Sequence, residues 1–110
     1  MPESAAELLQ GTLALLILQT LSRGPDHGWG VAQQIQDRSR EILTVNQGSL
    51  YPALHRLEEQ GWIESEWGIS TNNRRAKFYR LTTVGRKQLV RETHTWTQFA
   101  KAVHWVLQPV

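Results

Sequence analysis

The period of the hydrophobic pattern changes twice along this chain, and those two changes leave few architectures open. Up to Gly61 the apolar residues recur at helical spacing, from Trp62 to Leu81 they alternate, and from Thr82 they return to helical spacing. A period near 3.6 buries one stripe of a helix, whereas a period of two buries one face of a strand. The chain therefore reads as helices, then a short antiparallel hairpin, then a last helix: mainly α with a small β-hairpin. Its 110 residues are one domain's worth.

The first helix is expected over Glu7–Leu21, with Ser4 as N-cap and Glu7 completing a capping box. Its apolar residues (Leu8, Leu9, Leu13, Leu15, Leu16, Ile17, Leu18, Leu21) reach most of the way around the cylinder. A helix on the surface of a lone domain needs only one such stripe, so this one is expected to touch both its own domain and a second subunit. Gly24-Pro25 ends it. A second helix runs from about His27 to Ser39, with Val31 and Ile35 on one face. Ile42–Val45 reads as a short extended piece. The third helix starts at Asn46 or Ser49, either of which can cap it, and ends at Gln60. Leu50, Leu54 and Leu57 form its inward stripe. Pro52 favours the later start, because proline is tolerated in a first turn, and Gly61 closes the helix.

Trp62–Trp67 and Phe78–Leu81 are the two strands, joined by a polar tip over Gly68–Arg75. Thr82 or Thr83 then caps a helix of about 25 residues, roughly 37 Å long. Within it Leu89, Thr93, Trp96, Ala100, Val103 and Leu107 follow the spacing of a heptad seam. A helix that overhangs a small domain with such a seam is expected to pair with a partner helix. This divides the chain into residues 1–82 and a dimerisation helix over 83–110.

Composition removes several functions. Without Cys there is no disulfide scaffold, thiolate zinc site or Cys nucleophile. His27, His55, His94 and His104 make no metal-ligand spacing, and neither a nucleophile elbow nor a Gly-rich phosphate loop is present. No catalytic residue, metal or cofactor is expected. The longest apolar stretch, Leu13–Leu18, falls far short of the roughly 20 residues that span a bilayer, and no basic stretch precedes it as in a signal peptide. A cytoplasmic protein without membrane contact is expected.

Charge is distributed unevenly. Residues 1–66 carry 4 basic and 9 acidic side chains, a net of −5, whereas residues 67–110 carry 8 basic and 1 acidic, a net of +7. Seven cations and no carboxylate lie within Trp67–Arg91. Such a run is either a solvated face or a surface for a polyanion.

Three helices followed by a hairpin is the order of a winged helix-turn-helix. In that arrangement the third helix enters the DNA major groove and the hairpin tip reaches the flanking backbone or minor groove. The outward face of the third helix offers Gln47, Ser49, Tyr51, His55 and Arg56, and Gly48 permits close approach of the backbone. Gln pairs bidentately with adenine and Arg with guanine, while a helix N-terminus favours phosphate. Gln47 is the candidate base reader; Ser49, Tyr51 and the wing cations Arg74, Arg75 and Lys77 are candidate DNA contacts. Arg86, Lys87 and Arg91 read as a solvated face, and Arg80 as a cross-strand partner of Glu64 or Glu66. The same fold also serves protein–protein contacts in which no DNA takes part, and the acidic first half would suit that role.

The stretch Val45-Asn46-Gln47-Gly48-Ser49-Leu50-Tyr51-Pro52-Ala53-Leu54-His55-Arg56-Leu57-Glu58-Glu59-Gln60-Gly61 resembles the signature of the PadR family of bacterial transcriptional regulators. His27-Gly28-Trp29-Gly30 and Arg74-Arg75-Ala76-Lys77-Phe78-Tyr79-Arg80-Leu81-Thr82-Thr83-Val84-Gly85 resemble it too. Leu9-Gln10-Gly11-Thr12-Leu13 and the tip from Asn72 and Asn73 to Lys77 are similar to the subgroup common in acidobacterial genomes. Trp29 departs from the Tyr often found there, although its indole N–H can still donate to a phosphate.

The resemblance implies a homodimeric repressor on double-stranded DNA at an inverted-repeat operator, acting at the bacterial nucleoid. The candidate DNA contacts become Trp29, Gln47, Gly48, Ser49, Tyr51, His55, Arg56, Asn73, Arg74, Arg75 and Lys77. The implied dimer interface joins the last helix (Leu89, Thr93, Trp96, Ala100, Val103, Leu107) to the first (Leu8, Leu15). The resemblance also implies release by a small-molecule effector, often aromatic, for which Trp96 and Trp105 are candidates. Trp96 reads either as plain interface or as pocket wall.

Overall fold

The computed structural model describes residues 2–109, with side chains described from residue 12 onward. Helix α1 spans Pro2–Leu21, strand β1 Asp26–His27, helix α2 Gly28–Arg38, helix α3 Gln47–Glu59, strand β2 Ile63–Ile69, strand β3 Arg75–Leu81 and helix α4 Thr83–Leu107. The three strands form one antiparallel sheet in the order β1-β3-β2.

Helix α1 runs through the centre, touching α2, α3, α4 and β3. Its Leu13, Ile17, Leu18 and Leu21 are buried against Val31 and Ile35 of α2, Leu50, Ala53, Leu54 and Leu57 of α3, and Ile63, Tyr79 and Leu81 of the sheet. The near-continuous apolar surface of α1 is thus partly accounted for within one chain. Leu15, Leu16 and Ala14 are half-buried rather than covered, and Leu8 lies outside the described side chains. Thr20 is buried without cost because its hydroxyl donates to the Leu16 carbonyl at 2.7 Å.

Several boundaries differ from the sequence reading, each for a local reason. Helix α1 starts at Pro2, a residue suited to a first turn, so Ser4 lies inside the helix instead of capping it. The cap of α3 is Asn46, whose side-chain oxygen accepts the Ser49 N–H at 2.9 Å. Pro52 is therefore inside the helix, beyond its first turn. Ile42–Val45 forms no strand. Arg40 and Glu41 both hold positive φ (56° and 65°) as the chain leaves α2, and the Leu43 N–H bonds to the Ser39 hydroxyl, not to a sheet. Leu43 and Val45 then pack against the core as coil. The third strand, β1, is too short to carry a period in sequence. The hairpin strands extend further than expected, which shortens the tip to residues 70–74.

The joint between the sheet and α4 is a close backbone contact. Thr82 caps α4 by accepting the Gly85 N–H at 2.9 Å, and its hydroxyl lies 2.7 Å from the Gly61 carbonyl oxygen and 3.1 Å from that of Trp62. The Thr82 N–H donates to the same Trp62 oxygen at 3.1 Å. Gly85 is buried, and a Cβ there would sit 1.9 Å from the Trp62 carbonyl oxygen, a backbone atom that cannot swing aside. Beyond that turn α4 still touches α1 and packs Leu89 against the core. No other residue of it is fully buried, and the molecule extends 56 × 30 × 20 Å.

Gly85→Ala tests this joint. In an ordinary helix the change is stabilising by roughly 1 kcal/mol, but overpacking against a backbone carbonyl costs about 1–3 kcal/mol or more. The expected result is a Tm lower by about 5 °C or more on thermal unfolding. An unchanged or higher Tm would contradict the close approach.

Candidate nucleic-acid interface

The N-terminus of α2, Tyr51 of α3 and the hairpin meet around an open groove of about 520 Å³, lined among others by Gly28, Trp29, Tyr51, Trp67, Arg75 and Lys77. At its α2 side the His27 imidazole is the N-cap, with Nδ1 accepting the Gly30 N–H at 3.0 Å. The Asp26 carboxylate accepts from the His27 N–H at 2.8 Å and from the Gln34 amide at 2.7 Å. It passes so close to α2 that a Cβ at residue 30 would stand 2.3 Å from its oxygens. Gly28 has a similar reason: its Cβ would stand 2.8 Å from the Tyr51 ring and 2.9 Å from its hydroxyl. The glycines on either side of Trp29 thus let the aromatic ring of α3 and the acid of β1 close on the first turn of α2. Trp29 itself points outward, 59% exposed.

Helix α3 buries Leu50, Ala53, Leu54 and Leu57, which turns Gln47, Tyr51 and His55 outward in a row four residues apart. Gly48 and Arg56 are also exposed, Ser49 is half-buried, and Tyr51 keeps 43% exposure. His55 lies 3.7 Å from Glu59, but both are well exposed, so the pair constrains His55 little. The row presents an amide, a phenol and an imidazole within one helix face.

The wing carries a single face that changes character along its length. The register pairs Ile63 with Leu81, Ser65 with Tyr79, Trp67 with Lys77 and Ile69 with Arg75, and alternate residues share a face. At the base this face is core: Ile63, Tyr79 and Leu81 are buried. Further out it becomes aromatic and cationic. The tip is closed by the Ser70 N–H to the Arg74 carbonyl at 2.8 Å and the Asn73 N–H to the Ser70 carbonyl at 2.9 Å. Asn73 takes the left-handed conformation that the turn requires (φ 57°).

The wing cations have different surroundings. Lys77 lies 3.7 Å from Glu58 near the end of α3, and the same carboxylate accepts the Ser65 hydroxyl at 2.5 Å. Glu58 therefore ties both strands to α3, and Lys77, a candidate DNA contact, is half-buried with its charge already paired. Arg80 bonds Glu64 at 2.7 Å, as direct cross-strand register dictates, leaving Glu66 out. Arg74 and Arg75 have no carboxylate partner among the described residues; the Arg75 guanidinium lies instead over the Trp67 ring, 4.4 Å from its centroid. Sequence reasoning missed Glu58 and Trp67. Their roles depend on which strand and helix positions meet, which no local pattern states.

The candidate interface residues of α4 lie away from the groove. Leu89 is half-buried against the chain's own core, and Ala100 is half-buried. Thr93 is exposed, as are Trp96 (43%), Val103 (40%) and Leu107 (74%). Trp96 sits beside Phe99, ring centroids 6.1 Å apart, and Trp105 is 69% exposed. Phe99, also missed in sequence, falls one residue off the seam.

Comparison with known proteins bears on the family and the fold. Residues 17–91 match the transcriptional regulator PadR-like family. A transcriptional regulator of Mycobacterium tuberculosis is 32% identical over 97 residues, covering 88% of this chain and 87% of the relative. The solved structure of a transcriptional regulator from Clostridium thermocellum superposes with a TM-score of 0.84 at 26% identity, over 93% of this chain and 99% of that one. A PadR family transcriptional regulator from Eggerthella lenta gives 0.83 at 29% identity, over 99% of this chain and 93% of that one.

Two outcomes follow for the Glu58 cluster. Glu58→Ala removes the acceptor of Ser65 and the partner of Lys77, so urea unfolding is expected to show a loss of about 1–2 kcal/mol; no loss would mean the wing is held by backbone pairing alone. Burial, with the Glu58 and Tyr51 charges adding to it, pushes the Tyr79 phenol above its ordinary value. The folded state then holds that proton more tightly than the unfolded chain. Its contribution is complete below the unfolded value of about 10 and is lost as pH rises through the folded one. Stability measured at alkaline pH should fall more steeply for the wild type than for Tyr79→Phe, and parallel curves would contradict this.

Proposed function

From the premise that this chain belongs to the PadR-like family of transcriptional regulators, we propose that it is a DNA-binding repressor. It acts as a homodimer on an inverted-repeat operator in the bacterial cytoplasm, at the nucleoid, and has no catalytic role. Residues 1–82 form the DNA-binding unit and residues 83–110 the dimerisation helix. The observation that carries this reading is that Trp29 of α2, Tyr51 of α3 and the wing cations Arg74 and Arg75, which have no carboxylate partner among the described residues, line one groove.

In this reading Gln47 reads a base edge from the first turn of α3, with His55 and Arg56 further along the groove. Gly48, Ser49, Tyr51 and Trp29 sit where helix N-terminal N–H groups attract phosphate. Asn73, Arg74 and Arg75 reach the flanking backbone, and Lys77 contributes from its place beside Glu58. Exposed apolar side chains on α4 support pairing of that helix with its copy. Contiguous apolar surface of this kind is rare on a monomer, and Leu8 and Leu15 of α1 would border the pair. A small aromatic effector would lodge near the two-fold axis against Trp96, or against Trp105 on the other face of α4, and shift the spacing of the two DNA-binding units.

The test is a salt titration on operator fragments selected from genomic DNA. Arg74→Ala should weaken operator and random DNA alike and lower the slope of log K against log salt by about one. Gln47→Ala should cost about 1–3 kcal/mol at particular base pairs and leave random DNA unaffected. Equal losses on both DNAs for Gln47→Ala would remove its reading role, and absence of binding at low salt would remove the function.

A further inference from the structure

The wing holds four cations along β3 and its tip, and the structure gives each a different fate. Lys77 and Arg80 are paired with Glu58 and Glu64. Arg74 has no carboxylate partner among the described residues. Arg75 is fixed in place without being neutralised, its guanidinium lying over the indole of Trp67, which is itself 59% exposed. An exposed tryptophan on a hairpin needs a reason, since its large apolar face gains nothing from water.

The reason lies in the chemistry of the contact. A carboxylate would cancel the charge of Arg75 and occupy its N–H donors. An aromatic face attracts the cation through the ring quadrupole and leaves the donors at the guanidinium edge, which point outward in its plane. The stack also limits the rotamers of a side chain that otherwise loses about 2 kcal/mol of freedom on being ordered. The register explains why these two residues meet: Trp67 stands opposite Lys77 and Arg75 lies two residues before it, the diagonal position on the same face. That face also lines the groove beside α3.

We propose that Trp67 is a positioning residue for DNA binding: its indole holds Arg75 in a fixed, fully charged orientation from which the guanidinium edge donates to a backbone phosphate flanking the base pairs that α3 contacts. The inference rests on the DNA-binding reading above and adds a residue to it. Trp67 acts through Arg75 and makes no required contact of its own.

A double-mutant cycle separates the possibilities. Binding of one operator duplex is measured for the wild type and for Trp67→Ala, Arg75→Ala, the double variant and Trp67→Tyr, each across a salt series and each with its Tm recorded. Trp67→Ala is expected to raise Kd about three- to fivefold, with an unchanged Tm. In the Arg75→Ala background the same change should have no further effect. Arg75→Ala should lower the salt slope by about one. Trp67→Tyr, which keeps an aromatic face, should recover most of the wild-type affinity. Additive losses would overturn the proposal by giving Trp67 a contact of its own, and so would an unaltered Kd in Trp67→Ala. Failure of the wild type to bind any duplex would overturn the DNA-binding reading itself, and the positioning role with it.

Discussion

The orientation of α4 on the body is set by one carbonyl oxygen, that of Trp62. It accepts the Thr82 N–H, lies within reach of the Thr82 hydroxyl and is covered by Gly85, where no side chain would fit. The same few residues end β3, cap α4 and seal the sheet against the end of α3. A helix that begins on a backbone contact this close cannot pivot without breaking its own cap. The start of α4 is therefore tied directly to the turn that ends α3.

That constraint gives meaning to the division of apolar surface. The body completes its core from α1, α2, α3 and the sheet, and α4 contributes little to it after its first turns. Most of its remaining large apolar side chains, Val90, Phe99, Trp105, Val106 and Leu107 among them, are exposed. The polar surface follows the same logic at the other end. Glycines at 28 and 30 let Tyr51 and Asp26 close on α2, Glu58 ties the wing to α3, and the wing cations without a carboxylate partner among the described residues, Arg74 and Arg75, sit at or next to its tip. Rigid elements place these groups, so their spacing is a property of the fold rather than of flexible loops.

Much of this was legible in the sequence. The order of helices and hairpin followed from the changes in hydrophobic period, and the stripes Leu50–Leu54–Leu57 and Val31–Ile35 are buried as their spacing requires. Thr82 caps α4, and Gly61 ends α3 with a positive φ of 78°. What escaped was short or long-range. Two residues of β1 carry no period, and their pairing with Phe78 and Tyr79 depends on where α2 lands. Ile42–Val45 has β-branched and apolar residues but pairs with no strand; the Leu43 N–H is taken by the Ser39 hydroxyl instead. The choice of Asn46 over Ser49 as cap is a competition between two good caps that only the preceding backbone decides. The Glu58–Lys77 and Trp67–Arg75 contacts join residues brought together by register and packing; the sequence pattern paired Arg80 across the hairpin but left Lys77 among the free cations.

If the Trp62–Gly85 joint fixes each α3 relative to a shared α4 pair, two half-sites must be separated by a set number of helical turns of DNA. The most direct measurement is binding to a selected operator with and without about 5 bp, half a turn, inserted between its half-sites. The account predicts that the half-turn insertion reduces affinity to that of a single half-site, and that inserting a full turn in place of a half restores at most part of it. Equal affinity for the original and half-turn operators would show that the two units engage DNA independently, and would contradict a rigid, helix-joined dimer.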